Sequence, residues 1–81
     1  MSKAEKRLDR MRANPQGDWR IEDLEVVAGQ CGMQIRKSGG SHVVFTHEKY
    51  PGIVTVPARR PIKTPYVRTF IAMVDELQEQ K

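Results

Sequence analysis

The spacing of apolar residues changes twice along this chain, from helical to alternating and back again. In residues 1–14, Ala4, Leu8 and Met11 fall at i, i+4 and i+7 among good helix formers, which predicts a short helix with a narrow apolar stripe. Asn14-Pro15-Gln16-Gly17 breaks that pattern and reads as a linker. Ile21, Leu24, Val27, Ala28 and Cys31 then share one face of a second helix. Its expected caps are Asp18 at the N-terminus and Gly32 at the C-terminus, with Glu22, Asp23 and Glu25 placed where the helix dipole favours acids. Trp19 is expected to cover the start of this helix.

After Gly32 the period becomes two. Met33-Gln34-Ile35-Arg36 alternates as a half-buried strand does, Ser38-Gly39-Gly40-Ser41 reads as a turn, and His42-Val43-Val44-Phe45-Thr46 reads as a second strand. Val43 and Phe45 share one face of it; His42, Val44 and Thr46 share the other. Tyr50-Pro51-Gly52 has the residues of a type II turn, and Ile53-Val54-Thr55-Val56 predicts a third strand stopped by Pro57. Beyond the basic loop 58–63, Thr64 is the expected N-cap of a last helix with Pro65 at its first position. Val67, Phe70, Ile71, Val74 and Leu77 form its apolar face.

Two short turns make the strands an antiparallel meander, which buries its apolar side if both main helices cover one face. The expectation is therefore an α+β fold of order α-β-β-β-α, a three-stranded antiparallel sheet with two helices on one face. Residues 1–16 form an N-terminal helical extension and linker, and residues 17–81 form the single domain. Double-stranded RNA-binding domains share this element order, and order alone does not establish function.

Composition narrows the function classes. A chain of 81 residues makes one domain with a thin core, burying about 60% of the surface its unfolded form exposes. A shallow surface site suits it better than an enclosed cofactor pocket, and no cofactor is expected. One cysteine, Cys31, excludes an internal disulfide, and no Cys/His grouping has metal-ligand spacing. With no apolar run of membrane length and no apolar segment in MSKAEKRLDR, a cytoplasmic protein without a membrane partner is expected. Charge is uneven: residues 33–69 carry seven bases against one acid, whereas residues 17–32 carry one base against four acids. A basic middle suits a polyanion such as nucleic acid, although a solvated basic surface would carry the same charge.

The segment Lys37-Ser38-Gly39-Gly40-Ser41-His42 holds the candidate chemistry. Gly39 and Gly40 permit positive φ and close approach by an anion, adjacent backbone N–H groups and the Ser41 hydroxyl supply donors, and Lys37 supplies charge. His42 stands where the turn becomes strand, with a side chain able to move protons near neutral pH. Arg59, Arg60 and Lys63 follow the third strand and can hold phosphate. Whether they reach His42 depends on the twist of the sheet and the placement of the helices. His42 as an ordinary strand-edge residue, and Gly39-Gly40 as a simple turn, are the structural alternatives. Metal-free RNA cleavage needs these groups: a base for the ribose 2′-hydroxyl, charge or N–H donors for the phosphorane, and a proton for the leaving 5′ oxygen.

Gly40-Ser41-His42-Val43-Val44-Phe45 is similar to the G-S-H-x-x-F/Y element of the HicA, or YcfA-like, family of type II toxins. Gly32 closing a helix, Thr55-Val56-Pro57 as a T-V-P strand end, and Ile62-Lys63 before a final helix extend the resemblance over residues 19–77. The resemblance implies a double-stranded-RNA-binding-like fold, metal-independent cleavage of messenger RNA with His42 as the catalytic residue, and neutralisation by a HicB-like antitoxin. The chain departs from the family at one point: many members carry a second histidine just past the T-V-P element, where this chain has Arg59. Two other readings use the same residues. A non-catalytic RNA-binding module would leave RNA intact, and a protein-interaction subunit would show no RNA affinity.

Overall fold

The computed structural model describes residues 3–38 and 40–79. The elements are α1 (Lys3–Ala13), α2 (Ile21–Cys31), β1 (Gln34–Ser38), β2 (His42–His47), β3 (Tyr50–Pro57) and α3 (Thr64–Glu79). The order is α-α-β-β-β-α, an α+β fold built on one antiparallel sheet of strand order β1-β2-β3.

Helix α1 puts Ala4, Leu8 and Met11 into the interior, and Met11 is fully buried. Its flanks are tied by charge, Arg7 to Asp23 of α2 at 3.3 Å and Arg12 to Asp75 of α3. Leu8 and Met11 belong to the same core cluster as Leu24, Phe45 and Phe70, so one core runs through residues 3–13 and the segment expected as the domain. The helix stops before Pro15, whose ring disfavours helical backbone at the preceding residue.

Helix α2 buries Leu24, Val27 and Ala28 and half-buries Ile21 and Cys31, as its spacing predicts. Its N-cap is Arg20, not Asp18. The Asp23 carboxylate accepts the Arg20 N–H at 2.9 Å and so satisfies a backbone donor at the helix start, which frees Asp18 for another partner described below. At the other end Gly32 takes φ +75, which only glycine adopts readily. Gly32 N–H then bonds the Gly29 carbonyl at 3.3 Å and Met33 N–H bonds the Ala28 carbonyl at 3.0 Å, a Schellman closure that turns the chain into β1.

The hairpin between β2 and β3 differs from the sequence expectation. The turn is Glu48-Lys49, His47 pairs with Tyr50, and Tyr50-Pro51-Gly52 lies inside the strand. Proline is tolerated there because β3 is an edge strand, where a missing N–H costs no ladder bond on the open side. The His47 ring also holds the turn, its Nδ1 accepting the Lys49 N–H at 3.0 Å, next to a register shift between Phe45 and His47.

Val43, Phe45, Val54 and Val56 are buried on one face of the sheet, under α2 and α3. The rings of Phe45 and Phe70 meet edge to face with centroids 5.0 Å apart, a favoured aromatic geometry. Helix α3 contributes Val67, Phe70, Met73, Val74 and Leu77, and begins one residue earlier than expected, with the Lys63 carbonyl accepting the Val67 N–H at 3.2 Å. The opposite face of the sheet is open, and Ile53 on it is 65% exposed. No helix among the described residues is long and apolar enough to cross a membrane.

Candidate functional site

The alternation that buries Val43 and Phe45 turns His42 to the open side of β2. His42 pairs across the ladder with Pro57, the last residue of β3. One residue further on, the Ala58 N–H bonds the Ser41 carbonyl at 2.5 Å, which holds the chain leaving β3 beside the chain entering β2. The loop then runs to α3 and closes an open cleft of about 360 Å³ lined by Ser41, His42, Pro57, Arg59, Pro61, Lys63 and Tyr66.

This loop is anchored from behind. Ile62 is buried in the core and its N–H bonds the Trp19 carbonyl at 2.8 Å. Arg60 forks onto Asp18, with Nε 3.0 Å from Oδ1 and Nη2 2.5 Å from Oδ2, a bidentate pair that ties the loop to the segment before α2. The Arg60 hydrogen bond holds the Asp18 carboxyl below its usual range, with attraction to Arg60 and Arg20 adding to it, and Asp18 in turn raises Arg60.

Of the residues singled out in the sequence, Ser41, His42, Arg59 and Lys63 meet in this cleft. Arg60 does not; it is next to Arg59 in sequence, yet it lines a separate shallow depression with Arg20, Ile21 and Glu22. Lys37 also stands apart. It is the ladder partner of Val43, so it lies on the helix-covered side, 3.9 Å from Glu25 of α2. Gly40 takes φ +93 in the β1–β2 turn, so its position does require glycine, but it does not line the cleft. Gly39 lies outside the described residues.

Sequence reasoning missed Tyr66. It sits in the first turn of α3, is 37% exposed, and lines the cleft opposite the strand ends. The signal was present: an aromatic residue directly after a basic loop and off the apolar stripe has no core to join.

The cleft therefore gathers one imidazole, one guanidinium, one ammonium, one aliphatic hydroxyl and one phenol, with no carboxylate in its lining. Such a set attracts an anion, can hold phosphate oxygens at two cations, and can accept or return a proton at the imidazole. No three His, Cys, Asp or Glu side chains are grouped to hold a metal ion among the described residues. Compared with known proteins, the chain matches no family model, no curated protein and no solved structure.

Proposed function

We propose that this protein is a cytoplasmic endoribonuclease that cleaves messenger RNA without a metal ion, the toxin half of a HicA-like pair held in check by a HicB-like antitoxin. One observation carries the reading: His42 shares a cleft with Arg59, Lys63 and Ser41 and with no acidic side chain. The resemblance of Gly40-Ser41-His42-Val43-Val44-Phe45 to the family's G-S-H-x-x-F/Y element supports it from the sequence side.

In this reading His42 takes the proton of the ribose 2′-hydroxyl as that oxygen attacks the adjacent phosphorus. The 2′-oxygen–phosphorus bond forms and the phosphorus–5′-oxygen bond breaks. Arg59 and Lys63 hold the non-bridging oxygens while charge builds on them, and the Ser41 hydroxyl donates a further hydrogen bond. Arginine stays charged at all working pH values, so Arg59 holds phosphate and does not replace the family's second histidine as an acid. Water protonates the departing 5′ oxygen. Tyr66 offers a ring on which a base beside the scissile phosphate can stack.

The test is incubation of purified protein with single-stranded RNA, with and without EDTA. Cleavage is expected to persist in EDTA and to leave 2′,3′-cyclic or 3′-phosphate ends. A 2′-deoxy residue at the cut site should block it, because the nucleophile is then missing. Strict Mg²⁺ dependence, or equal cutting of DNA, would overturn the mechanism. Salt-sensitive binding with the RNA left intact would replace it with a non-catalytic RNA-binding role.

A further inference from the structure

A second basic groove, of about 270 Å³, is lined by Lys3, Lys6, Arg7, Arg10, Trp19 and Asp23. Its only carboxylate is already committed. Asp23 holds Arg7 at 3.3 Å through one oxygen and accepts the Arg20 N–H at 2.9 Å through the other. Lys3, Lys6 and Arg10, at i, i+3 and i+7 on α1, form no ion pair among the described residues. Facing them is the half-buried indole of Trp19, fixed by its Nε1–H to the Asn14 carbonyl at 2.8 Å.

The groove and the cleft flank a single hydrogen bond. The Trp19 carbonyl accepts the Ile62 N–H at 2.8 Å, and the residues on either side of Ile62, Pro61 and Lys63, line the cleft. One backbone contact thus joins the loop that carries Pro61 and Lys63 to the residue whose indole lines the groove.

We propose that the α1–Trp19 groove is a second binding site for single-stranded RNA, gripping the strand beyond the bond that is cut. The inference rests on RNA being the substrate of the His42 cleft. Lys3, Lys6 and Arg10 neutralise phosphates, and Trp19 offers a stacking surface that accepts any base. Cations tracking a backbone beside an aromatic platform are the usual means of gripping a single strand without sequence choice. An acidic protein would satisfy the cations, but only in a nucleic acid does every unit carry both an anion and a planar ring.

Trp19 is the only tryptophan in the chain, so its fluorescence reports on this groove. The experiment titrates the full chain with 2′-O-methyl oligouridylate, which cannot be cut, in a length exceeding the molecule's 33 Å long axis, and in parallel with a uridine dinucleotide. The long strand should perturb Trp19 emission and the dinucleotide should not. In the Lys6→Ala/Arg10→Ala variant the salt dependence of long-strand binding should flatten by about 0.7 for each phosphate that the protein no longer neutralises. KM for long RNA should rise with kcat unchanged, and cleavage of the dinucleotide should match the parent. Both side chains are exposed and form no ion pair among the described residues, so the melting temperature should hold.

Unchanged long-strand affinity and salt dependence in this variant, while the parent cuts RNA, would overturn the groove and leave the cleft reading standing. A parent that cuts no RNA, with long-strand binding still weakened by the variant, would retain the groove as an RNA site and remove the nuclease. Binding of the long strand without any change in Trp19 emission or in the variant's affinity would reduce the groove to a solvated helix face.

Discussion

His42 and Val43 are neighbours in sequence with opposite surroundings, one exposed over the cleft and the other buried under the helices. Removing the imidazole leaves no cavity, so His42→Ala should shift stability by no more than about 0.5 kcal/mol. On the proposed reading, RNA cleavage should fall at least about a hundredfold, the lower range for loss of a positioned acid–base group. Val43→Ala should do the reverse, costing about 2 kcal/mol while the His42 imidazole stays in place. Melting temperature and cleavage rate measured on both variants separate the two effects, and near-parental cleavage by His42→Ala would make the histidine structural. At this scale the sequence was informative where a side chain's face follows from alternation. His42 was legible that way, Ser41 by its hydroxyl in the glycine turn, and Arg59 and Lys63 by charge. Arg59 and Arg60 looked equivalent because no local rule says which of two adjacent arginines finds a carboxylate 42 positions away. Tyr66 was readable as an aromatic off the apolar stripe, but its place in the cleft depends on β3 ending beside α3.

The loop 58–63 holds its shape partly through the Asp18–Arg60 pair, and that pair has a pH signature. The Asp18 carboxyl is held below its ordinary value in the folded chain, chiefly by the hydrogen bond from Arg60. Its contribution is therefore present above the unfolded carboxylate pKa, about 3.9, and is lost as the pH falls through the lower folded value. Asp18→Asn should melt earlier than the parent at neutral pH, and the two curves should converge under strong acid. The gap should be small because both partners are solvated and salt screens them. A gap that widens on acidification would give the pair the wrong sign. Element boundaries show the same dependence on distant partners. Asp18 carries a strong N-cap signal, yet Asp23 serves the helix start from inside it, and Asp18 goes to Arg60. Pro51-Gly52 carries a strong turn signal, yet an edge strand absorbs it and Glu48-Lys49 turns the chain. Where one period ran undisturbed, as along the buried face of α2, that face was readable even though the helix start was not.

Across the whole molecule, α1 is part of the core and not an appendage. Met11 is fully buried and α1 is bound by ion pairs to both α2 and α3. Met11→Ala should cost about 2–5 kcal/mol. A domain's net stability is only about 5–15 kcal/mol, so the melting temperature should drop sharply. A parental melting temperature in this variant would mean that residues 3–13 are dispensable to folding. The sequence marked this helix and its stripe correctly, but an apolar stripe does not state which surface receives it.

The hydrogen bond from Ile62 to Trp19 would bear on rate as well as shape in the proposed nuclease. A six-residue loop bearing cations would ordinarily have to be ordered by its substrate, and each residue so fixed costs about 1–2 kcal/mol of conformational entropy. Here the buried Ile62, the Ala58–Ser41 bond and the Asp18–Arg60 fork set the backbone during folding. Arg59 and Lys63 thus stand beside His42 on a preorganised backbone, and in the proposed nuclease binding energy that would have gone into ordering the loop would remain for the transition state.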